Sequence, residues 1–457
     1  MIGSTARAWA ASLARARSKL LDRPEHRHIA GALVVIIGLA GVAKLVSAAK
    51  EIAVAAHYGT GPVVDAYVLL FNLLFWPLGV WIGIGAAVLV PLLVRGEIND
   101  PKDAILFRRE LWGLTLWAGP ALSVAIAVIL WWVAREHWLG AAPVVDAQTA
   151  AQAAPLSLML PFALAANLFA AFMIADRRHS NNVLEAIPAI AIIAALVSVR
   201  SFGYEPLVWA TVVGTAAQLA AAMALQHPDR RAYRPAFSFA SRLWKALIAS
   251  AGIVALATAL AGATAIVDQV AAAGVGTGGN ATLGYATRLT GLIVTLASIS
   301  VSRAILPVLA RLGAQDPVRQ GQVARQWSLL MGGVGLLAVI IGWVVAPTLV
   351  RLMFQRGAFK AEDALLVTRV FRYSLLQLPF FLSGMVLIQQ IASNGMYSAF
   401  LKIGTVNLVA KLVGVAVLAP LLGVAGIALS TAFMYAVGRI QIEFLSRHPR
   451  NASFPRD

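Results

Sequence analysis

A chain of 457 residues that is 60% hydrophobic and 12% charged, with a mean hydropathy of +0.79, cannot hide its apolar side chains as a water-soluble globule, so its solvent is lipid. The formal charge of +17 raises nucleic acid as a partner, but cations beside apolar helices report membrane topology, and their placement below accounts for them without it. No cysteine is present and the seven histidines are scattered, which excludes disulfide frameworks, thiolate sites and cysteine nucleophiles and leaves no metal or cofactor to expect.

Residues 1–28 carry Arg7, Arg15, Arg17, Lys19, Arg23 and Arg27 and are expected to form a basic tail lying on anionic lipid. A membrane-spanning helix needs roughly 20 mainly apolar residues. Such runs fall at 29–57, 63–94, 111–134, 149–175, 183–199, 206–226, 243–272, 280–310, 326–350, 362–393, 400–420 and 422–446. The predicted fold is therefore an all-α polytopic membrane protein of about twelve spans. The last two runs are parted only by Pro420-Leu421-Leu422-Gly423, and since together they are too long for one crossing, a tight hairpin is expected there.

Loop charges test this count, because an even number of spans puts both termini on one side and alternates the loops between compartments. The N-terminal tail with 95–110, 176–182, 227–245, 311–325, 394–402 and 447–457 holds 24 of the 37 Lys and Arg residues. The opposite loops hold only Arg135, Arg200, Arg351, Arg356 and Lys360. The cation-rich side is expected to be the cytoplasmic one, which puts both termini in the cytoplasm.

Landmarks recur between the halves at an offset of 217 or 218: Glu51 with Asp268, Gly59-Thr60-Gly61 with Gly276-Thr277-Gly278, and Leu160-Pro161-Phe162 with Leu378-Pro379-Phe380. Ala66-Tyr67 against Gly284-Tyr285, and Pro91 and Arg95 against Pro307 and Arg311, keep nearly the same register. Six helices per unit is an even number, so the copies share one orientation and form two parallel lobes around a central cavity. The expected division is an N-terminal lobe at 29–226, a cytoplasmic connector at 227–241, a C-terminal lobe at 242–446 and a tail at 447–457. Rocking of one lobe against the other would expose the cavity to each side in turn.

Eight cations remain inside or at the edges of spans: Lys44, Lys50, Arg288, Arg303, Arg369, Arg372, Lys411 and Arg439. A charge at bilayer depth costs at least about 2.5–3.5 kcal/mol, so it faces a bundle interior or a wet cavity. Lys44 and Glu51, seven apart, share a face of the first helix, with Lys50 beside them. The alternative for Lys50 and Glu51 is an interfacial position, or a pair with a neighbouring helix. Asp65 opens the second span, where a helix cap and a functional acid are equally supported. Arg369 and Arg372, three apart, share a face and suggest a secondary basic patch. Lys411 sits mid-span and calls for an acid that the sequence does not identify. The cations outnumber the intramembrane acids Glu51, Asp65 and Asp268, so the cavity is expected to be electropositive and to favour an anion such as phosphate or pyrophosphate. The glycines of Gly274-Val275-Gly276-Thr277-Gly278-Gly279 lack a P-loop lysine and are expected to form a turn. No nucleotide-binding domain accompanies the spans, so this is not expected to be an enzyme. The driving force would be an ion gradient, the membrane potential, or supply and removal of cargo.

At these positions the chain resembles the MurJ/MviN lipid II flippases of the multidrug/oligosaccharidyl-lipid/polysaccharide exporter superfamily. Ala43-Lys44 with Ala49-Lys50-Glu51 is similar to the family's first-helix pattern, followed by Tyr58-Gly59-Thr60-Gly61 and Asp65-Ala66-Tyr67. Tyr285-Ala286-Thr287-Arg288, Leu352-Met353-Phe354-Gln355-Arg356-Gly357-Ala358-Phe359 and Leu422-Gly423-Val424-Ala425-Gly426 continue the likeness. The resemblance implies a V-shaped, two-lobed flippase carrying an undecaprenyl-pyrophosphate-linked saccharide from the cytoplasmic to the periplasmic leaflet. Lys44, Lys50 and Arg288 would be its cavity cations, Asp65 its helix-two acid, and cell-envelope synthesis proteins its partners. The chain departs where the family has paired arginines, near Leu78-Gly79, and where it has an acid before Arg288, at Thr287. It also ends after twelve spans, where many members carry two more. An exporter of another polyprenyl-linked unit, such as an exopolysaccharide or O-antigen repeat, fits the same residues. An ion-coupled small-molecule exporter would need a more acidic cavity, and a non-transporting scaffold in envelope assembly would tolerate loss of the cavity charges.

Overall fold

The computed structural model describes residues 43–176, 178, 181–199, 203–225, 234–394 and 396–447. The basic tail, the start of the first span, the first half of the connector and the residues after Arg447 lie outside the described residues. The described chain forms fourteen main helices: α1 (43–58), α2 (Pro62–Asn99), α3 (Pro101–Arg135), α4 (Pro143–Ser157), α5 (Met159–Ala175), α6 (Ile187–Ser198) and α7 (Glu205–Ala224) in the first half. The second half holds α8 (Leu243–Val275), α9 (Gly279–Gln315), α10 (Pro317–Phe354), α11 (Ala361–Leu375), α12 (Leu378–Ser393), α13 (Tyr397–Leu422) and α14 (Val424–Arg447). Eight stretches are long and apolar enough to cross a bilayer, α11 with α12 counting as one, and the bent pair α4 and α5 makes a ninth. The described part of α1, the shorter apolar α6 and the long α9 stand where the first, fifth and eighth spans are expected.

The repeat is visible in local geometry. Asp100 and Asp316 precede α3 and α10 with nearly the same backbone, φ −148° and −149°, and each side chain accepts a hydrogen bond from the N–H three residues on, at Asp103 and Arg319. Each is followed by a proline at the first helical position, where its missing N–H costs nothing. The segments expected as loops at 95–110 and 311–325 are therefore mostly helix. Their Arg, Glu, Gln and Leu residues favour helix, so the flanking helices run on past the hydrocarbon until Asp-Pro stops them.

The fourth and tenth spans are broken at matching places. Pro161 and Pro379 have no N–H to offer the carbonyls of residues 157 and 375, and α4 and α11 end at those residues. The first break bends its pair by 42°. Each proline backs onto a glycine of the preceding span: a Cβ on Gly119 would lie 3.2 Å from Pro161 Cα, and one on Gly335 would lie 2.6 Å from Pro379 Cα. A π turn at Gly85–Leu89 absorbs the other break in hydrogen bonding, just ahead of Pro91. The final hairpin forms at Gly423, φ 61°, while Pro420 is carried inside the last turn of α13.

The two lobes meet along α8 and α2. Trp76 Nε1 donates to the Ala259 carbonyl at 3.0 Å and its ring covers Gly262, while Gly83 faces Thr258. Small residues at such crossings let helices approach closely where lipid gives no hydrophobic drive to associate. The described end of the connector is strapped to α3. Buried Glu110 accepts from Ser238 Oγ at 2.5 Å, Ala240 N at 2.6 Å, Ser241 N at 3.2 Å and Trp244 Nε1 at 2.7 Å. Glu110 thereby fixes the entry to α8 against the first lobe.

Candidate functional site

Between the lobes lies a cavity of about 440 Å³ whose walls come from both halves of the chain. α1 contributes Lys44, Ser47, Lys50 and Glu51; α9 contributes Gly284, Thr287, Arg288, Gly291 and Thr295. Gly284, Arg288, Gly291 and Thr295 fall three or four apart with Thr287 beside them, so one side of that helix faces the cavity. Glu51, 7% exposed, sits between two cations, with Oε1 2.5 Å from Lys50 Nζ and Oε2 paired with the Arg288 guanidinium. Lys50 Nζ also lies 6.0 Å from the centre of the Phe71 ring. Phe71 stands one repeat before Arg288, so the first lobe presents an aromatic face where the second presents a cation. Lys44 is exposed at the cavity wall. The sequence-predicted Lys44, Lys50, Glu51 and Arg288 are thus brought together, and the cluster carries three cations against one acid.

The other predicted residues lie elsewhere. Asp65 is fully buried and caps α9 across the lobe boundary, accepting from Gly278 N at 3.1 Å and Ala281 N at 2.7 Å. Asp268, the repeat mate of Glu51, points away from the cavity to Lys411, with Oδ1 2.5 Å from Nζ. Lys411 is completely buried and also donates to Ser430 Oγ at 2.9 Å, Thr431 Oγ1 at 2.5 Å and the Ile427 carbonyl at 3.3 Å. Arg369 is exposed on α11, and Arg372 donates to the Trp343 carbonyl at 2.9 Å and stacks on its ring, so they line no part of this cavity. Arg439 pairs with Glu443 at 2.8 Å within α14. Leu78 packs against Leu160 and Leu164, while Gly79 faces open space.

Beyond the cavity, on the face whose loops are poor in cations, the lobes are latched. The Ala358 N–H donates to the Ala56 carbonyl at 2.8 Å, Tyr285 Oη donates to the Gly59 carbonyl at 2.9 Å, and Thr60 Oγ1 donates to Asp363. The repeat-related turns at Gly59 and Gly276 meet here, since Gly278 packs on Thr60. Tyr285, Phe354 and Phe359 form a buried aromatic plug beneath them, ring centres 5.2–5.8 Å apart. Sequence reasoning did not anticipate this latch. Its signal was the run from Leu352 to Phe359, in which glycine and aromatics interrupt an otherwise aliphatic pattern. Gly357, φ 59°, is the tightest point, for a Cβ there would lie 2.2 Å from the Ala56 oxygen. Gly357→Val is expected to part the lobes on this face. Because the chain has no cysteine, Ser47→Cys can report it: an impermeant maleimide added from that face should label the cavity in the Gly357→Val background and not in its absence. Equal labelling in both would show that the latch does not seal the cavity.

Two parallel six-helix lobes flanking a cationic cavity, closed by a latch at one end, are the frame of a multi-pass membrane transporter. The sequence profile described as "Lipid II flippase MurJ" matches residues 54–448, and the chain belongs to that family. A "Probable lipid II flippase MurJ" of Helicobacter pylori is 32% identical over 169 residues, 36% of each chain. Another of Rhizobium tropici is 23% identical over 351 residues, 73% of this chain and 65% of its own. These alignments therefore span less than two thirds of the relatives' lengths. The solved structure titled "Lipid II flippase MurJ, inward closed conformation" superposes with a TM-score of 0.76 at 12% identity, covering 91% of this chain and 88% of that one, which establishes the shared fold.

Proposed function

We propose that this protein moves an undecaprenyl-pyrophosphate-linked saccharide, lipid II in the first instance, from the cytoplasmic to the periplasmic leaflet of the bacterial inner membrane by alternating access. The observation that carries this is the cluster of Lys44, Lys50 and Arg288 around Glu51 in the interlobe cavity. Clustered ammonium and guanidinium groups offer charge-assisted hydrogen bonds to phosphate oxygens, and a cavity shared between lobes lets those groups travel with a cargo headgroup. A polyprenyl tail can stay in lipid throughout. The loop-charge asymmetry supports cytoplasmic termini, in which case the latched face would be periplasmic and the cation-rich face would receive the cargo.

Native mass spectrometry of the purified protein with lipid II, undecaprenyl pyrophosphate and a neutral lipid of equal mass tests the reading. Adducts are expected with the two pyrophosphate lipids and should weaken in Lys50→Ala. Equal adducts with the neutral lipid would overturn it. One observation favours a related cargo. Leu78 packs against Leu160 and Leu164 in the first lobe where the resemblance calls for arginines, which supports a cargo whose headgroup needs fewer cationic contacts. An exopolysaccharide or O-antigen repeat unit on the same carrier is the second reading, and preferential adducts with such lipids over lipid II would establish it.

A further inference from the structure

Among the described residues lining the cavity Glu51 is the sole acid, and its two oxygens are divided between two cations on different lobes: Lys50 of α1 and Arg288 of α9. This is how a phosphate group would engage the same pair, one oxygen to each. Glu51 is inserted at 7% exposure, whereas the Arg288 side chain keeps 28% of its surface open toward the cavity. Nothing about the repeat requires an acid here for packing, since Asp268 at the matching place in the second lobe serves a lysine outside this cavity. The polar Ser47, Asn72, Gln269 and Thr287 on the surrounding wall supply hydrogen-bonding groups for whatever displaces the carboxylate.

We propose that Glu51 is a resident stand-in for the cargo's pyrophosphate: it holds the Lys50–Arg288 anion site while the cavity is empty, and cargo binds by displacing it. This rests on the pyrophosphate reading of the cavity given above. The device serves both ends of a transport cycle. Without cargo, the two cations are neutralised and the lobes are tied through one carboxylate, so an empty carrier does not present bare charge to lipid. With cargo bound, the freed carboxylate remains beside the site and competes for the cations, which shortens the residence of a ligand that would otherwise be held by several charge-assisted bonds. Removing the competitor should then tighten binding and slow release.

The experiment uses the full chain in detergent micelles with farnesyl pyrophosphate as probe, and with inorganic pyrophosphate and farnesol as separate arms, read by calorimetry and by ligand-induced thermal shift. Glu51→Gln is expected to bind farnesyl pyrophosphate about tenfold more tightly than the unsubstituted protein, the scale of one competing charge-assisted contact. In proteoliposomes the same variant should turn over more slowly. If Glu51→Gln fails to fold, Glu51→Asp, whose shorter carboxylate reaches only one cation, should show a smaller gain in the same direction. Unchanged or weaker affinity in a folded variant would overturn the stand-in role, provided the unsubstituted protein binds the probe and loses it in Lys50→Ala. Absence of any pyrophosphate-dependent binding in the unsubstituted protein would overturn the pyrophosphate reading and the stand-in together.

Discussion

Arg288→Ala is expected to cut transport of a polyprenyl-pyrophosphate lipid by about 30-fold or more while membrane insertion and abundance stay normal. The arginine is the only cation that the second lobe contributes to the cavity among the described residues, and it faces Lys50 across the lobe boundary. Its loss removes the cross-lobe half of the anion site and leaves Glu51 paired with Lys50 alone. Losing one charge-assisted contact at the bound headgroup is worth roughly 2 kcal/mol, which sets that fold-change. Arg288→Lys should recover part of the activity, since it restores the charge without the planar fork. The measurement is a flipping assay in proteoliposomes alongside complementation in cells. Full activity in Arg288→Ala at normal abundance would remove Arg288 from the transport site.

Lys411→Met is expected to be the most destabilising single substitution proposed. It strands the Asp268 carboxylate, whose side chain is 17% exposed, without the ammonium that now lies 2.5 Å away. Breaking a buried pair by removing one partner typically costs about 3–5 kcal/mol, because the remaining charge stays desolvated. The double variant Lys411→Met with Asp268→Asn should recover most of the loss, which separates a missing ion pair from a packing defect. Thermal unfolding in a single detergent reads both. A Lys411→Met protein that melts at the unsubstituted temperature would show that the pair does not fasten α8 to α13.

The pair also marks where sequence reasoning reached its limit. Lys411 was legible as a buried cation in want of an acid, and Asp268 as an intramembrane acid related by repeat to Glu51, but their partnership was not. Asp268 and Lys411 lie 143 positions apart on the chain, and which helix of a six-helix lobe packs on which follows from side-chain fit around the whole bundle. The repeat does not supply the partner either, because two helices with the same internal pattern can turn their acids toward different partners. Asp65 shows the same limit. As a first-turn acid it read equally as a cap or as a functional group, and the structure makes it the cap of α9, a helix starting 214 residues later.

An all-α fold of repeated apolar spans, the repeat relating its two halves, and Lys44, Lys50 and Arg288 as candidate cavity cations were legible in the sequence alone. Hydropathy and the positions of proline, glycine and charge act locally, and lipid punishes any span that lacks them. The latch from Ala56 to Asp363, the strap at Glu110 and the division of Glu51 between two lobes were decided only by the tertiary structure. The latch, the strap and the Glu51–Arg288 half of that division join groups remote along the chain, and their approach is set by how whole helices pack, which no local pattern encodes. The cationic cavity was visible in advance as a composition; its central carboxylate bridge, from Lys50 of one lobe to Arg288 of the other, was not.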